Sequence, residues 1–201
     1  YPKVRDNLMQ SLIDFSAFGN SSSELRRVVL PKPSISRFDY CFDYILRGFQ
    51  PDPCNFVAHP RCTRSVNGKI LKREEVYKGR EIESIRIGEM PGRQSTLYNK
   101  TREIVAHNKP YWWDLWGLKK ALLVGDVWRV EQRAGKSELD NWNIHSFDDF
   151  ESMAGDVVQA TIKAIRFTEP SSDSNASRWP LHPLWEASST AASSVLSPYT
   201  S

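Results

Sequence analysis

Three short stretches carry residue types that could do phosphoryl chemistry together. Asp39 and Asp43 fall on one side of the alternating run Arg37-Phe38-Asp39-Tyr40-Cys41-Phe42-Asp43-Tyr44. Tyr98 and Lys100 share a side of a second run, Gln94 to Lys100. Arg129 and Glu131 share a side of a third, Val127 to Arg133. Carboxylate oxygens suit hard divalent cations such as magnesium or manganese. A tyrosine oxygen can attack phosphorus when nearby positive charge offsets the charge that develops. If the three sides coincide, they assemble the parts of a DNA-nicking transesterase. Alternation alone also predicts polar residues on the solvent side of any half-buried sheet, so chemistry and plain solvation both remain open here.

Other groupings carry less. Cys54-x4-His59-x2-Cys62, with Cys41 upstream, offers thiols and an imidazole to zinc, but the spacing is irregular and Cys41 sits mid-strand. The cluster Tyr111-Trp112-Trp113-Asp114-Leu115-Trp116 could stack unpaired bases, while its helical spacing favours a core role. His107, His145 and His182 are isolated and read as surface or capping residues.

These groups need elements to position them. Phe38, Tyr40, Phe42 and Tyr44 form the apolar side of the first strand and should face the core. Strands are also expected at Arg61 to Val66, Glu81 to Gly88, Gln94 to Lys100 and Val127 to Arg133. Asn67-Gly68 is a hairpin turn signal, Lys69 to Arg80 reads as a basic linker, and Met90-Pro91-Gly92 is a turn. Spaced apolar residues from Tyr1 to Asn20 predict a helix, Thr101 to Leu123 is mainly helical around Pro110, and Ser146 caps a helix running to Ala164. The result is an α+β fold, a mainly antiparallel sheet with helices packed on one face. Residues 1–170 form the main domain and 171–201 a polar, partly flexible C-terminal segment rich in Ser, Thr and Ala.

Bulk properties agree with a globular domain. The 201 residues are 40% hydrophobic and 25% charged, enough for a core without disulfides. Net charge is only +3, but basic residues dominate from Arg61 to Arg102 and acidic ones from Glu138 onward, a distribution suited to an anionic partner. Three scattered cysteines fit a reducing compartment. No apolar run approaches the roughly 20 residues of a membrane span. The chain opens on Tyr1 rather than Met, as expected of a fragment or processed product.

The segment Gly88-Glu89-Met90-Pro91-Gly92-Arg93-Gln94-Ser95-Thr96-Leu97-Tyr98-Asn99-Lys100-Thr101-Arg102-Glu103-Ile104 resembles a block of the Rep_trans-type rolling-circle replication initiation factors of plasmids and filamentous phages, which have relatives among MOBT relaxases. Val127-Trp128-Arg129-Val130-Glu131 resembles the downstream strand of that family, and Arg37-Phe38-Asp39 with Asp43 its upstream strand. The blocks stand in the family's order from Arg37 to Glu131. The resemblance implies a cytoplasmic, plasmid- or phage-encoded bacterial protein that binds an origin and nicks one strand by metal-dependent tyrosine transesterification. It implies Asp39, Asp43 and Glu131 as ligands of magnesium or manganese, with Tyr98, Glu131 and Asp39 as the catalytic set. It implies Arg37, Arg86, Arg93, Lys100, Arg102 and Arg129 as DNA contacts, with Glu103 in support. A single-stranded or hairpin origin, a second copy of the chain and a host helicase are the partners it implies, with no membrane.

One place departs from the pattern. Leu139-Asp140-Asn141-Trp142 puts asparagine where the family's nucleophilic tyrosine would stand, and asparagine cannot form a phosphotyrosyl link. Either another tyrosine serves, Tyr98 first and Tyr111 second, or the protein is a DNA-binding relative, such as a regulator, that does not nick. In an unrelated α/β protein with a basic surface, the three strand sides would not converge.

Overall fold

The computed structural model describes residues 34–58 and 73–195. The chain divides into two units, Tyr1–Pro33 and Ser34–Ser201, and every described residue belongs to the second. The helix expected over Tyr1 to Asn20, the strand Arg61 to Val66, the Asn67-Gly68 turn, His59 and Cys62 all lie outside the described residues.

Five strands make one sheet: β1 (Arg37–Leu46), β3 (Arg73–Lys78), β4 (Glu81–Gly88), β5 (Arg93–Asn99) and β6 (Asp126–Gly135). Their order across the sheet is β1-β6-β5-β4-β3, and each neighbouring pair is antiparallel. A two-stranded ribbon joins β2 (Phe56–Ala58) to β7 (Ile165–Phe167). The helices are α1 (Lys100–Ala106), α2 (Tyr111–Leu115), α3 (Lys136–Asn141), α4 (Phe147–Ala164) and α5 (Pro183–Val195). This is an α+β fold. No helix among the described residues is long and apolar enough to cross a membrane.

Alternation sets which side of the sheet is covered. Phe42, Leu97, Trp128 and Val130 meet Val158 and Ile162 of α4 and Leu184, Trp185 and Ala192 of α5 in one core, with Phe38, Tyr40 and Tyr44 packed against it. Burying this aromatic and aliphatic area supplies the main driving force for closing helices over the sheet. In α4, buried Ala154, Val157, Val158, Thr161 and Ile162 recur at helical spacing. Ser146 and Asp149 close a reciprocal capping box at its start.

Three elements differ from the sequence expectation. Residues 73–78 of the expected basic linker form the edge strand β3, where charged side chains discourage pairing with other chains. Residues 136–141 form the short helix α3. Most of the Ser/Thr/Ala-rich C-terminal stretch is α5, anchored by fully buried Trp185, whose Nε1 donates to the Ile165 carbonyl at 2.8 Å. Its small residues hide the pattern: Ser188 is fully buried, its hydroxyl donating to the Leu184 carbonyl at 2.8 Å, so composition reads polar while the helix face is packed.

The β4–β5 hairpin depends on Gly88. Its φ is +98°, and a Cβ there would lie 2.2 Å from the Arg93 carbonyl oxygen. No other residue fits that backbone without moving the strand.

Candidate nucleic-acid interface

Strand register decides which polar residues become neighbours. In β1 and β6, Asp43 stands opposite Arg129, Cys41 opposite Glu131, and Asp39 opposite Arg133. In β5 and β6, Tyr98 stands opposite Arg129, Thr96 opposite Glu131, and Gln94 opposite Arg133. Arg86 of β4 stands opposite Thr96, and Glu74 of β3 opposite Arg86. Directly opposed residues project from the same side of a sheet. The polar sides of the three sequence blocks therefore coincide, on the side of the sheet away from α4 and α5.

This outer face pairs its own charges. Arg129 donates from Nε and Nη2 to the two Asp43 oxygens at 2.6 and 2.7 Å. Arg133 Nη2 lies 3.0 Å from Glu131 Oε2, and its Nη1 donates to Gln94 Oε1 at 2.9 Å. Arg37 Nε donates to Asp39 Oδ1 at 2.7 Å, and Arg86 Nη1 to Glu74 Oε2 at 2.9 Å. The guanidiniums of Arg37 and Arg86 are the open ones, with side chains 48% and 41% exposed. Among the described residues, Arg86 Nε, Arg133 Nε and Thr96 Oγ1 are buried without a hydrogen-bond partner. Such groups are costly unless something accepts from them.

Burial and neighbouring charge shape the titration here. Burial pushes the Tyr98 phenol well up, against the opposing pull of Arg129. Cys41 is exposed at the surface, but partial desolvation of its thiol by the packed strands, then the Glu131 charge, raises it to about 11. Burial disfavours the Arg129 cation, but hydrogen bonding and charge from Asp43 prevail and raise its pKa. The face thus holds a neutral phenol against a permanently charged guanidinium.

Helix α2 sits over one end of this face. Trp112 covers both the Arg129 guanidinium and the Lys100 ammonium, each 4.4 Å from its ring, a cation–π arrangement. Trp116 Nε1 donates to Asp43 Oδ2 at 3.1 Å. The spacing of the aromatic cluster predicts a core role, and the structure corrects this: α2 has no buried residue, and Tyr111 and Leu115 are exposed. A five-residue helix is too short to bury a full apolar face, so cation–π and indole contacts hold it instead.

The predicted site residues divide by position. Arg37, Asp39, Asp43, Arg86, Tyr98, Arg129 and Glu131 share the outer face. Lys100 is buried beneath Trp112, its Nζ 2.5 Å from Glu103 Oε2, and Lys109 bonds the other Glu103 oxygen at 2.6 Å. Burial opposes ionisation of Glu103, but the two lysines prevail and lower its pKa. Arg93 faces away, 2.6 Å from Glu138 of α3 and donating to the Ala160 carbonyl of α4 at 3.4 Å. Arg102 pairs with Glu81, tying α1 to β4. Asn141 is exposed at the end of α3.

Arg133, Gln94 and Thr96 share the outer face with the expected site residues, as alternation on β5 and β6 requires, without being among them. Trp112 and Trp116 stood out in the sequence as part of an aromatic cluster, but their contacts with Asp43, Arg129 and Lys100 follow only from the fold.

The donor set does not fit a metal ion as it stands. Cys41, not a carboxylate, faces Glu131, so Asp39 and Asp43 flank Glu131 diagonally, at roughly 7 Å for such positions. Each of the three carboxylates already binds an arginine. Among the described residues no group of three or more His, Cys, Asp or Glu is arranged to hold a metal. Cys41 and Cys54 are free thiols.

No family model and no curated protein matches the chain. Among solved structures it is similar to the rolling circle replication initiator protein from Geobacillus stearothermophilus, with 18% identity and a TM-score of 0.44, over 79% of this chain. The chain spans 56% of the length of that protein.

Proposed function

We propose that the chain is a DNA-binding domain of rolling-circle replication-initiator type, which holds a DNA backbone against the outer face of the sheet. The observation that supports this most is the convergence of the three family-like blocks on one face through the register of β1, β6 and β5. Alternation puts polar residues on the open side of any half-covered sheet; the strand order adds that the three blocks lie on adjacent strands. The open guanidiniums of Arg37 and Arg86 offer phosphate contacts.

A second reading, strand nicking, is favoured by one contact: Tyr98 stands opposite Arg129, a cation that partly offsets the burial holding the phenol neutral. In that reaction the tyrosine oxygen loses its proton and bonds phosphorus. The bond from phosphorus to the 3′ oxygen breaks, and that oxygen leaves with a proton as a free hydroxyl. The product is a 5′ phosphotyrosyl link.

The test is binding of origin-like hairpin and single-stranded DNA across a salt series, followed by denaturation with and without manganese to look for a covalent species. Salt-dependent binding supports the domain assignment, and its absence on all DNAs sinks it. A linked band lost in Tyr98→Phe or Tyr111→Phe identifies the nucleophile. Binding with no linked band leaves a non-nicking domain, consistent with Asn141.

A further inference from the structure

The outermost ring of α2 faces water. Tyr111 is 56% exposed and stacks on Trp112, with centroids 5.8 Å apart and planes at 30°. Trp112 continues inward onto Arg129 and Lys100. Trp116, 5.3 Å from Trp112, is tied to Asp43. A ladder of π systems and cations thus runs from solvent to the central ion pair of the outer face, and its last rung is open. Lys119 and Lys120, just beyond α2, are exposed.

An open aromatic rung, continuous with a cationic face and followed by lysines, has the chemistry of a base-stacking platform. Every unpaired base has a π face that can add to such a ladder, while bases within a duplex already stack on each other. The lysines suit the phosphates of the same strand. We propose that α2 stacks an unpaired base on Tyr111, a base-stacking subsite at the edge of the outer face. This rests on the DNA-binding reading of that face. It assigns α2 a role in holding the strand, with no base-specific contact.

The test measures anisotropy of three labelled ligands: an oligodeoxythymidine strand, the same backbone with abasic sites, and the strand annealed to its complement. The protein is the full chain as wild type, Tyr111→Ala or Tyr111→Phe. Tyr111→Ala should weaken single-strand binding about tenfold and leave duplex binding unchanged. Tyr111→Phe keeps the ring and should bind as wild type. The abasic strand should lose a similar factor on the wild type and nothing further on Tyr111→Ala. Single-strand binding indifferent to both changes overturns the platform while leaving the DNA-binding face intact. No binding of any DNA overturns the face itself. Capture by anionic lipid vesicles, lost in Tyr111→Ala without any effect on DNA, assigns α2 to a membrane surface and also overturns the proposal. Because Tyr111 is exposed, circular dichroism should report an intact fold in both variants.

Discussion

Asp43 and Arg129 stand directly opposite on β1 and β6 and join through two hydrogen bonds of 2.6 and 2.7 Å. The Arg129 side chain is only 8% exposed, so this carboxylate is what compensates its buried charge. Asp43→Ala should destabilise the domain by about 3 kcal/mol, because it strands a buried guanidinium. The apolar double change Asp43→Leu with Arg129→Met should recover most of that loss. Urea unfolding checks both, and a single-variant loss well under 1 kcal/mol would mean another acceptor replaces Asp43.

Gly88→Ala tests the hairpin that places Tyr98. A Cβ would collide with the Arg93 carbonyl oxygen at a backbone angle that L residues avoid. The expected loss is roughly 3 kcal/mol in thermal or urea unfolding. An unchanged stability would mean that the turn can shift freely.

His182 should make the fold sensitive to mild acid. Burial lowers its pKa below the ordinary 6.5, its ring packs 4.7 Å from Phe167, and its Nδ1 accepts from the Leu184 N–H at 3.1 Å. Because the folded pKa is depressed, the unfolded chain binds the extra proton first. Stability is therefore complete above pH 6.5 and declines as pH falls below it, until the folded pKa is passed. Unfolding midpoints for wild type and His182→Gln should diverge above pH 6.5 and approach one another below it; parallel curves would argue against this role.

Phosphate contacts should register as salt dependence. Arg37→Ala and Arg86→Ala each remove an open guanidinium from the outer face, and each should reduce the log–log salt slope of DNA binding by about 1. Arg93→Ala removes a cation bound to Glu138 on the other side and should leave the slope unchanged while lowering stability. A reversed ranking would place DNA elsewhere on the molecule.

Cys41 should be a slow thiol. With its pKa raised to about 11, little thiolate exists near neutrality. Alkylation of Cys41, mapped by peptide mass, should therefore lag behind that of Cys54. Equal rates would mean that desolvation and the Glu131 charge do not govern this exposed thiol.

The sequence by itself determined the local periodicities. Strict alternation in Arg37 to Tyr44 and Val127 to Arg133 specified two strands and sorted their residues into apolar and polar sides, because successive side chains on a strand point oppositely. Ser146 and Asp149 marked the start of α4, because a capping box satisfies backbone donors within one turn. Local rules say nothing about which strands meet or in what register. The pairing of Asp43 with Arg129, the facing of Cys41 to Glu131 and the turning of Arg93 toward α3 were decided only by tertiary structure. The same holds for α2. Its spacing fits a buried helix face, yet the inner side of the sheet is already filled by α4 and α5, and the charges of Lys100 and Arg129 offered its indoles a site on the other side.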